Sequence, residues 1–436
     1  LAWPGLACAG APAALPVTVA EPAAAPVADG NDADDANDAD DPEAGPLILA
    51  PRQTRFAFPD FPADRRLLPE LSTRLLTARL GVELITDWTG FGQNAQSVAQ
   101  HGVQANSFEV RSARVQLVGS IWNGLRLSYR IAAQYRGFDI DPERNWELTD
   151  AAVTWLINSR GSRINIGQIR ETFSYETIGS TASMPQSERV LGLFAASRNI
   201  GISATHVFGA DRDWTASVGL YRDSFGFSGS GAGATARLTH LMWEDAAAGR
   251  YLHLGAAWRR RPDDDGMMRY RGRPGSNVAD VFVDTGAFVA RGADHFGIEG
   301  LWADGGFSVL GEYVVARVSS PALGNPLFQG FYVVGSWVLT GETRPYDRAI
   351  GQARRLVPTQ GWGAPEIVLR YSAVDLNGGD VRGGSFDRIE AGVNWWATTR
   401  WKLGAVAGRT WSRQPVPDNP ARGRTDSLLL RVQWLY

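Results

Sequence analysis

Residues 124–136 read GLRLSYRIAAQYR, and residues 428–436, at the other end of the chain, read LLLRVQWLY. In the first stretch Leu125, Leu127, Tyr129, Ile131, Ala133 and Tyr135 share one side of an extended chain, and Arg126, Ser128, Arg130, Gln134 and Arg136 share the other. In the second, Leu428, Leu430, Val432, Trp434 and Tyr436 oppose Arg431 and Gln433. A period of two is the mark of a strand, because successive side chains point to opposite faces. The same alternation opens the patterned region, where Leu76, Ala78, Leu80, Val82 and Leu84 oppose Thr77, Arg79, Gly81 and Glu83.

Sixteen such runs can be counted, near 73–88, 107–121, 124–136, 146–158, 163–171, 198–208, 212–222, 232–243, 250–261, 294–303, 306–318, 329–340, 365–375, 386–397, 400–411 and 425–436. Most reach ten residues, which crosses a bilayer when tilted. The connections alternate between a few residues and nine or more, with one exception, 341–364, which is long where a short turn is due. This rhythm predicts an all-β fold: a transmembrane, up-and-down antiparallel β-barrel of 16 strands over 72–436. Such a barrel closes on itself in the outer membrane of a Gram-negative envelope, with both chain ends periplasmic. A soluble sandwich or propeller leaves unexplained an aliphatic and aromatic face opposite an arginine-rich one.

Composition agrees. The chain has 436 residues, 49 of them Gly and 16 Trp, as suits many turned strands with interfacial aromatic belts; Trp88, Trp302, Trp395, Trp396 and Trp434 are candidates for those belts. The lone Cys8 excludes a disulfide framework and a cysteine zinc site. Charge is uneven: residues 1–50 hold nine of the 46 acidic side chains and no Lys or Arg, so the body behind them is cationic. Lys402 is the sole lysine; the other cations are arginines.

The N-terminal part divides in two. Residues 1–20 are small and apolar and resemble the remnant of a secretory signal segment. Residues 21–71 form an acidic, Pro-rich tail expected to be flexible and periplasmic. Within it Asp32, Asp34, Asp38 and Asp40 are spaced as Ca²⁺ ligands could be, but the Gly at the turn and the closing Glu of a calcium loop are missing, so no metal site is assigned.

Enzyme templates fail. The five histidines are scattered outside any metal motif, the stretch 229–233 (GSGAG) lacks the flanking strand and helix of a phosphate loop, and no cofactor or nucleic acid is implied. The arginine faces carry more. With the apolar side toward lipid, Arg79, Arg126, Arg130, Arg136, Arg237, Arg259, Arg370, Arg388 and Arg431 point into the lumen. A guanidinium at the lipid midplane costs about 2–4 kcal/mol, so the inward orientation is the cheap one. Fixed cations in a narrow pore concentrate anions. The alternative is that these arginines brace the wall by pairing with Glu83, Asp150, Glu299, Glu312, Glu366 and Glu390. The connection 172–197 is long and weakly charged for a solvent loop, and is expected to fold inward as a constriction. Its candidates are Arg170, Glu171, Glu188, Arg189 and Arg198.

These residues carry a family resemblance. Residues 165–201, with Gly167, Gln168, Arg170, Phe173, Ser174, Glu188 and Arg189, are similar to a motif region of the phosphate-selective porin O and P family, although Val190 stands where Ser is usual. SWVLTGETRPYD from 336 and WGAPEIVLRYSAVDL from 362 resemble its late strands, and 270–274 and 282–286 its long loop. The resemblance covers roughly 72–436 and accounts for the long connection at 341–364. It implies a homotrimeric outer-membrane channel with an arginine-lined pore passing small anions such as phosphate. The single lysine departs from members that also rely on lysines. Three other readings stay open: a porin for sugars or organic acids, a plugged structural barrel whose tail binds Ca²⁺ or a partner, and a barrel enzyme with a Ser–His pair at one rim.

Overall fold

The computed structural model describes residues 71–73, 75–121, 125–135, 146–196, 198–222, 231–263, 265–414 and 422–436. The signal-like segment, most of the acidic tail with Asp32, Asp34, Asp38 and Asp40, and Arg136 lie outside them.

Sixteen antiparallel strands form one closed sheet. In chain order they are β1 Thr77–Gln93, β2 Ser107–Ile121, β3 Leu127–Tyr135, β4 Trp146–Leu156, β5 Arg163–Ile169 and β6 Asn199–Phe208. There follow β7 Trp214–Arg222, β8 Gly233–Asp245, β9 Arg250–Arg261, β10 Ala293–Asp304 and β11 Phe307–Val318. The last five are β12 Leu327–Val338, β13 Ala364–Gly378, β14 Val381–Trp396, β15 Trp401–Arg413 and β16 Gly423–Leu435. Each pairs with its sequence neighbours, and β1 pairs with β16 from Glu83↔Leu435 to Gln93↔Thr425, which leaves no open edge.

The faces fall as the alternation requires. Leu428, Leu430 and Val432 are exposed on the outer wall while Arg431 and Gln433 are buried inside. Outward Trp155, Trp243, Trp302, Trp337, Trp395 and Trp401 all lie at the strand ends on the side of the shorter turns, a girdle at one interface. Trp396 is a correction: it is fully buried inside, beneath Lys402, whose Nζ lies 4.6 Å from the ring centroid.

Two boundaries differ from the sequence reading. β1 continues past Trp88 to Gln93, because β16 offers backbone partners up to Thr425. The stretch 376–385 is mostly strand: β13 and β14 are joined by two residues only, and a bulge at Leu376 breaks the alternation there. A helix, α1 Ala95–His101, caps the first long connection; the Asn94 side-chain Oδ1 accepts from Ser97 N at 2.8 Å.

Close packing of neighbouring strands depends on Gly167 in β5. Its φ is +126°, and a Cβ there would lie 2.0 Å from the Ala151 carbonyl oxygen of β4. No other residue fits this approach.

Candidate functional site: the barrel lumen

Three connections fold inside the wall. From the end with long loops come 170–198 and 262–292; from the opposite end comes 339–363. Phe173, Leu191 and Phe194 of the first pack with Tyr270, Phe282 and Val283 of the second and with Phe328 and Tyr332 of the wall, forming an apolar core within the lumen. Such burial gives each segment a hydrophobic reason to stay inside.

The 170–198 segment crosses the barrel and is gripped on the far side. Arg370 on β13 donates to Glu188 O at 2.7 Å and pairs with Glu176 at 2.8 Å. Arg431 on β16 donates to Ser187 O at 2.6 Å and pairs with Asp87 at 2.5 Å and Glu188 at 2.6 Å. Asn394, Lys402 and Gln433 donate to the carbonyls of Pro185, Met184 and Ala182 at 2.8, 2.9 and 2.9 Å. The near side is held by carboxylates: Glu312 accepts from Tyr175 N and Glu176 N, and Glu176 accepts from Val190 N and Leu191 N. Every grip satisfies backbone groups that an irregular segment would otherwise bury unpaired.

The 339–363 segment meets it from below. Gln352 Nε2 donates to Tyr175 O at 2.8 Å, Ala353 N to Tyr175 Oη at 3.0 Å, and Arg355 Nη1 to Ala182 O at 2.6 Å. Arg163 donates to Ala349 O at 2.7 Å, and Arg237 to Ile350 O at 2.9 Å and Gly351 O at 2.7 Å.

The expected arginines therefore divide. Arg130, Arg237, Arg259, Arg370, Arg388 and Arg431 are buried on the inner face. All six pair with carboxylates: Arg130 with Asp150, Arg237 with Glu299, Arg259 with Glu171, Arg370 with Glu176 and Glu390, Arg388 with Glu390, and Arg431 with Asp87 and Glu188. Bracing is thus more extensive than an open arginine wall implies. Arg79 is half-buried in register with inward Glu83. Arg126 is a correction: it sits in the turn before β3, exposed and with φ +53°, off the wall altogether. Of the constriction candidates, Arg189 donates to Glu176 O and Gly179 O, Arg198 pairs with Asp150 at 3.1 Å, Arg170 donates to Ile178 O at 2.6 Å, and Glu188 bridges Arg111 and Arg431. Burial alone would raise the Glu188 carboxyl, but Arg111 and Arg431 hold it down at about 2.

Two cavities flank the crossing segment. One, of about 160 Å³, lies between it, the 339–363 segment and the wall; six arginines (Arg130, Arg163, Arg170, Arg237, Arg344, Arg354) face it against two carboxylates, Asp150 and Glu171. The other, of about 290 Å³, has Arg111, Arg189, Arg271 and Arg273 against Glu188. Behind the lining of the first cavity Arg237, Arg344 and Arg354 pair with Glu299, Glu366 and Asp347, so six arginines meet five carboxylates there while four meet one at the second, and positive charge exceeds negative at both.

Arg111 and Arg114 escaped the sequence reading. They are three apart, so a straight strand would put them on opposite faces. A bulge at Arg111, where Ile85 pairs with Ser112 and Thr86 with Val110, turns both inward. Arg163 stands at the first position of its strand, and Arg344 and Arg354 belong to the anomalous connection; no periodic signal marks them.

Two Ser–His pairs also come together, as a barrel hydrolase would need. His101 Nε2 lies 2.8 Å from Ser412 Oγ, and His206 Nδ1 lies 3.2 Å from Ser162 Oγ. Both serines are 1% exposed, and Ser412 donates its proton to Gln100 Oε1, so neither presents a nucleophile. Among the described residues no three His, Cys, Asp or Glu are grouped to hold a metal ion.

A family model described as phosphate-selective porin O and P matches residues 88–436. Porin O of Pseudomonas aeruginosa is 22% identical over 220 residues, covering 43% of this chain and 50% of that one. An uncharacterized Caulobacter vibrioides protein is 32% identical over 154 residues, covering 33% of this chain and 31% of that one. The matched parts span half or less of these relatives. The outer-membrane channel DcaP of Acinetobacter baumannii superposes with a TM-score of 0.54 at 10% identity, over 85% of this chain and 100% of that one. An anion-selective porin from Comamonas acidovorans gives 0.52 at 11% identity, over 83% and 100%. At these identities the solved structures bear on the fold alone, a closed antiparallel β-barrel.

Proposed function

We propose that this chain, which belongs to the phosphate-selective porin O and P family of outer-membrane barrels, forms a passive diffusion channel for small anions, phosphate among them. The observation that carries the reading is the excess of guanidinium groups facing both cavities beside the crossing segment. Inside a low-dielectric wall such fixed charge raises the local anion concentration and repels cations. The guanidinium fork also suits oxyanions. In this reading Arg130, Arg170 and Arg198 near Asp150 and Arg111 and Arg189 near Glu188 form the anion path, while Arg259, Arg370 and Arg431 position the constriction.

The channel works without a cofactor or covalent chemistry. β1 begins and β16 ends on the side of the shorter turns, which supports a periplasmic N-terminal tail in this reading. The assembly is a homotrimer, an inference from family membership that cross-linking in native membranes tests. Selectivity is tested by the purified protein in a planar bilayer under a chloride gradient. Anion preference with chloride current reduced by added phosphate supports the reading, and cation preference overturns it.

A further inference from the structure

The wall of the 160 Å³ cavity is not uniformly cationic. Across β4 to β7 its inner face carries Thr154, Asn165, Ser203, Thr205 and Ser217, all lining the cavity. They lie side by side in register: Thr154↔Asn165, Asn165↔Ser203 and Thr205↔Ser217 are direct cross-strand partners. Side-chain hydrogen bonds run along the band, from Thr154 Oγ1 to Asn165 Oδ1 at 2.8 Å, from Asn165 Nδ2 to Ser203 Oγ at 3.1 Å, and between Thr205 and Ser217 at 3.0 Å.

The direction of these bonds matters. Thr154 gives its only proton to Asn165, so its oxygen and the Asn165 carbonyl offer acceptor sites to the lumen. Ser203 accepts from Asn165 and keeps a proton to donate. A bare phosphate dianion seeks donors and gains little from acceptor oxygens. A solute hydroxyl both donates and accepts, and matches the band. Arg130 and Arg170 face the same cavity and supply donors for an anionic group. Asp150 and Glu171, the carboxylates there, are engaged by Arg198 and Arg259 and do not confront the solute as bare charges. The cavity holds on the order of ten waters, more room than one oxyanion fills.

We infer that the preferred solute of this constriction is a phosphorylated polyol, a sugar phosphate, whose phosphate lies toward Arg130 and Arg170 and whose hydroxyls lie along the Thr154–Ser217 band. The inference rests on the anion-channel reading above.

The test uses the full-length protein in a planar bilayer carrying chloride current, with glucose 6-phosphate, inorganic phosphate and glucose added separately. Glucose 6-phosphate is expected to block at about tenfold lower concentration than phosphate, the scale of one or two neutral hydrogen bonds, and glucose not to block in that range. In the double variant T205V/S217A both partners of one hydrogen bond are removed together, which leaves no buried group unpaired. There the ratio of half-blocking concentrations is expected to fall below about threefold, again on the scale of a lost hydrogen bond or two. Equal block by phosphate and glucose 6-phosphate in the parent protein overturns the inference without any variant, as does an undiminished ratio in a folded double variant. Cation preference in the same gradient would instead remove the anion-channel reading beneath it.

Discussion

Replacing Glu188 by Gln isolates what holds the crossing segment in place. The carboxylate accepts from Arg111 Nε and Nη2 at 2.9 and 3.1 Å and from Arg431 Nη2 at 2.6 Å, and is 8% exposed. Burial pushes its pKa up and the two guanidiniums bring it down to about 2, against an ordinary 4.5. That difference corresponds to roughly 3 kcal/mol favouring the charged form. Because the folded value is depressed, the contribution is complete above about pH 4.5 and is lost as pH falls through about 2. At pH 7 the variant forfeits it and leaves buried Arg431 and part-buried Arg111 each short of a partner. Local opening of the segment should then rise by up to about a hundredfold. A thiol placed by S180C in a C8S background reads this out, since Ser180 is buried in the segment. Its maleimide modification should accelerate by ten- to a hundredfold or so in E188Q. Loss of one lumenal negative charge should also shift the reversal potential toward stronger anion preference. A labelling rate within about twofold of the parent, with an unmoved reversal potential, would refute the clamp.

Gly167→Ala should prevent assembly of β4 to β6, because the new Cβ meets Ala151 O at 2.0 Å and φ +126° is strained for alanine; heat-modifiable mobility on gels reports the lost folded barrel. Lys402→Met should loosen the segment by freeing Met184 O while leaving the reversal potential where it was, since Lys402 lies over the Trp396 ring and faces neither cavity. His101 stacks on Phe282 at 3.9 Å, and burial lowers its pKa to about 4 even though Asp280 pulls it up. Its neutral form is favoured in the folded state, so this clasp between α1 and the 262–292 segment is complete above about pH 6.5 and weakens as pH falls toward 4. Hydrogen exchange at 95–104 and 276–285, corrected for intrinsic pH dependence, should quicken between pH 7 and 4.

The wall was legible because lipid enforces it. Every strand must show apolar side chains outward, so alternation in 124–136 and 428–436 fixes both strand and facing. It failed where one residue slips out of register. The bulge at Arg111 hid two inward arginines, and the one at Leu376 made strand look like loop. The site was only half legible. Periodicity says that Arg370 and Arg431 point inward, but not that they end on Glu188 O and Ser187 O, some 180 and 240 residues away by sequence. The segments that fill the lumen obey no repeat. Length and low charge flagged 172–197, and unexpected length flagged 341–364, yet which wall each one touches is decided by packing and by single carbonyls. Arg126 misled because its strand begins one residue later, at Leu127.

The most direct test of the account is the reversal potential of the purified channel in a chloride gradient at neutral pH. With arginines in excess on both sides of the crossing segment, the account predicts a potential displaced toward the chloride equilibrium value and reduced by charge-removing substitution of Arg111 and Arg170. A potential on the cation side, or one indifferent to those two arginines, would contradict it.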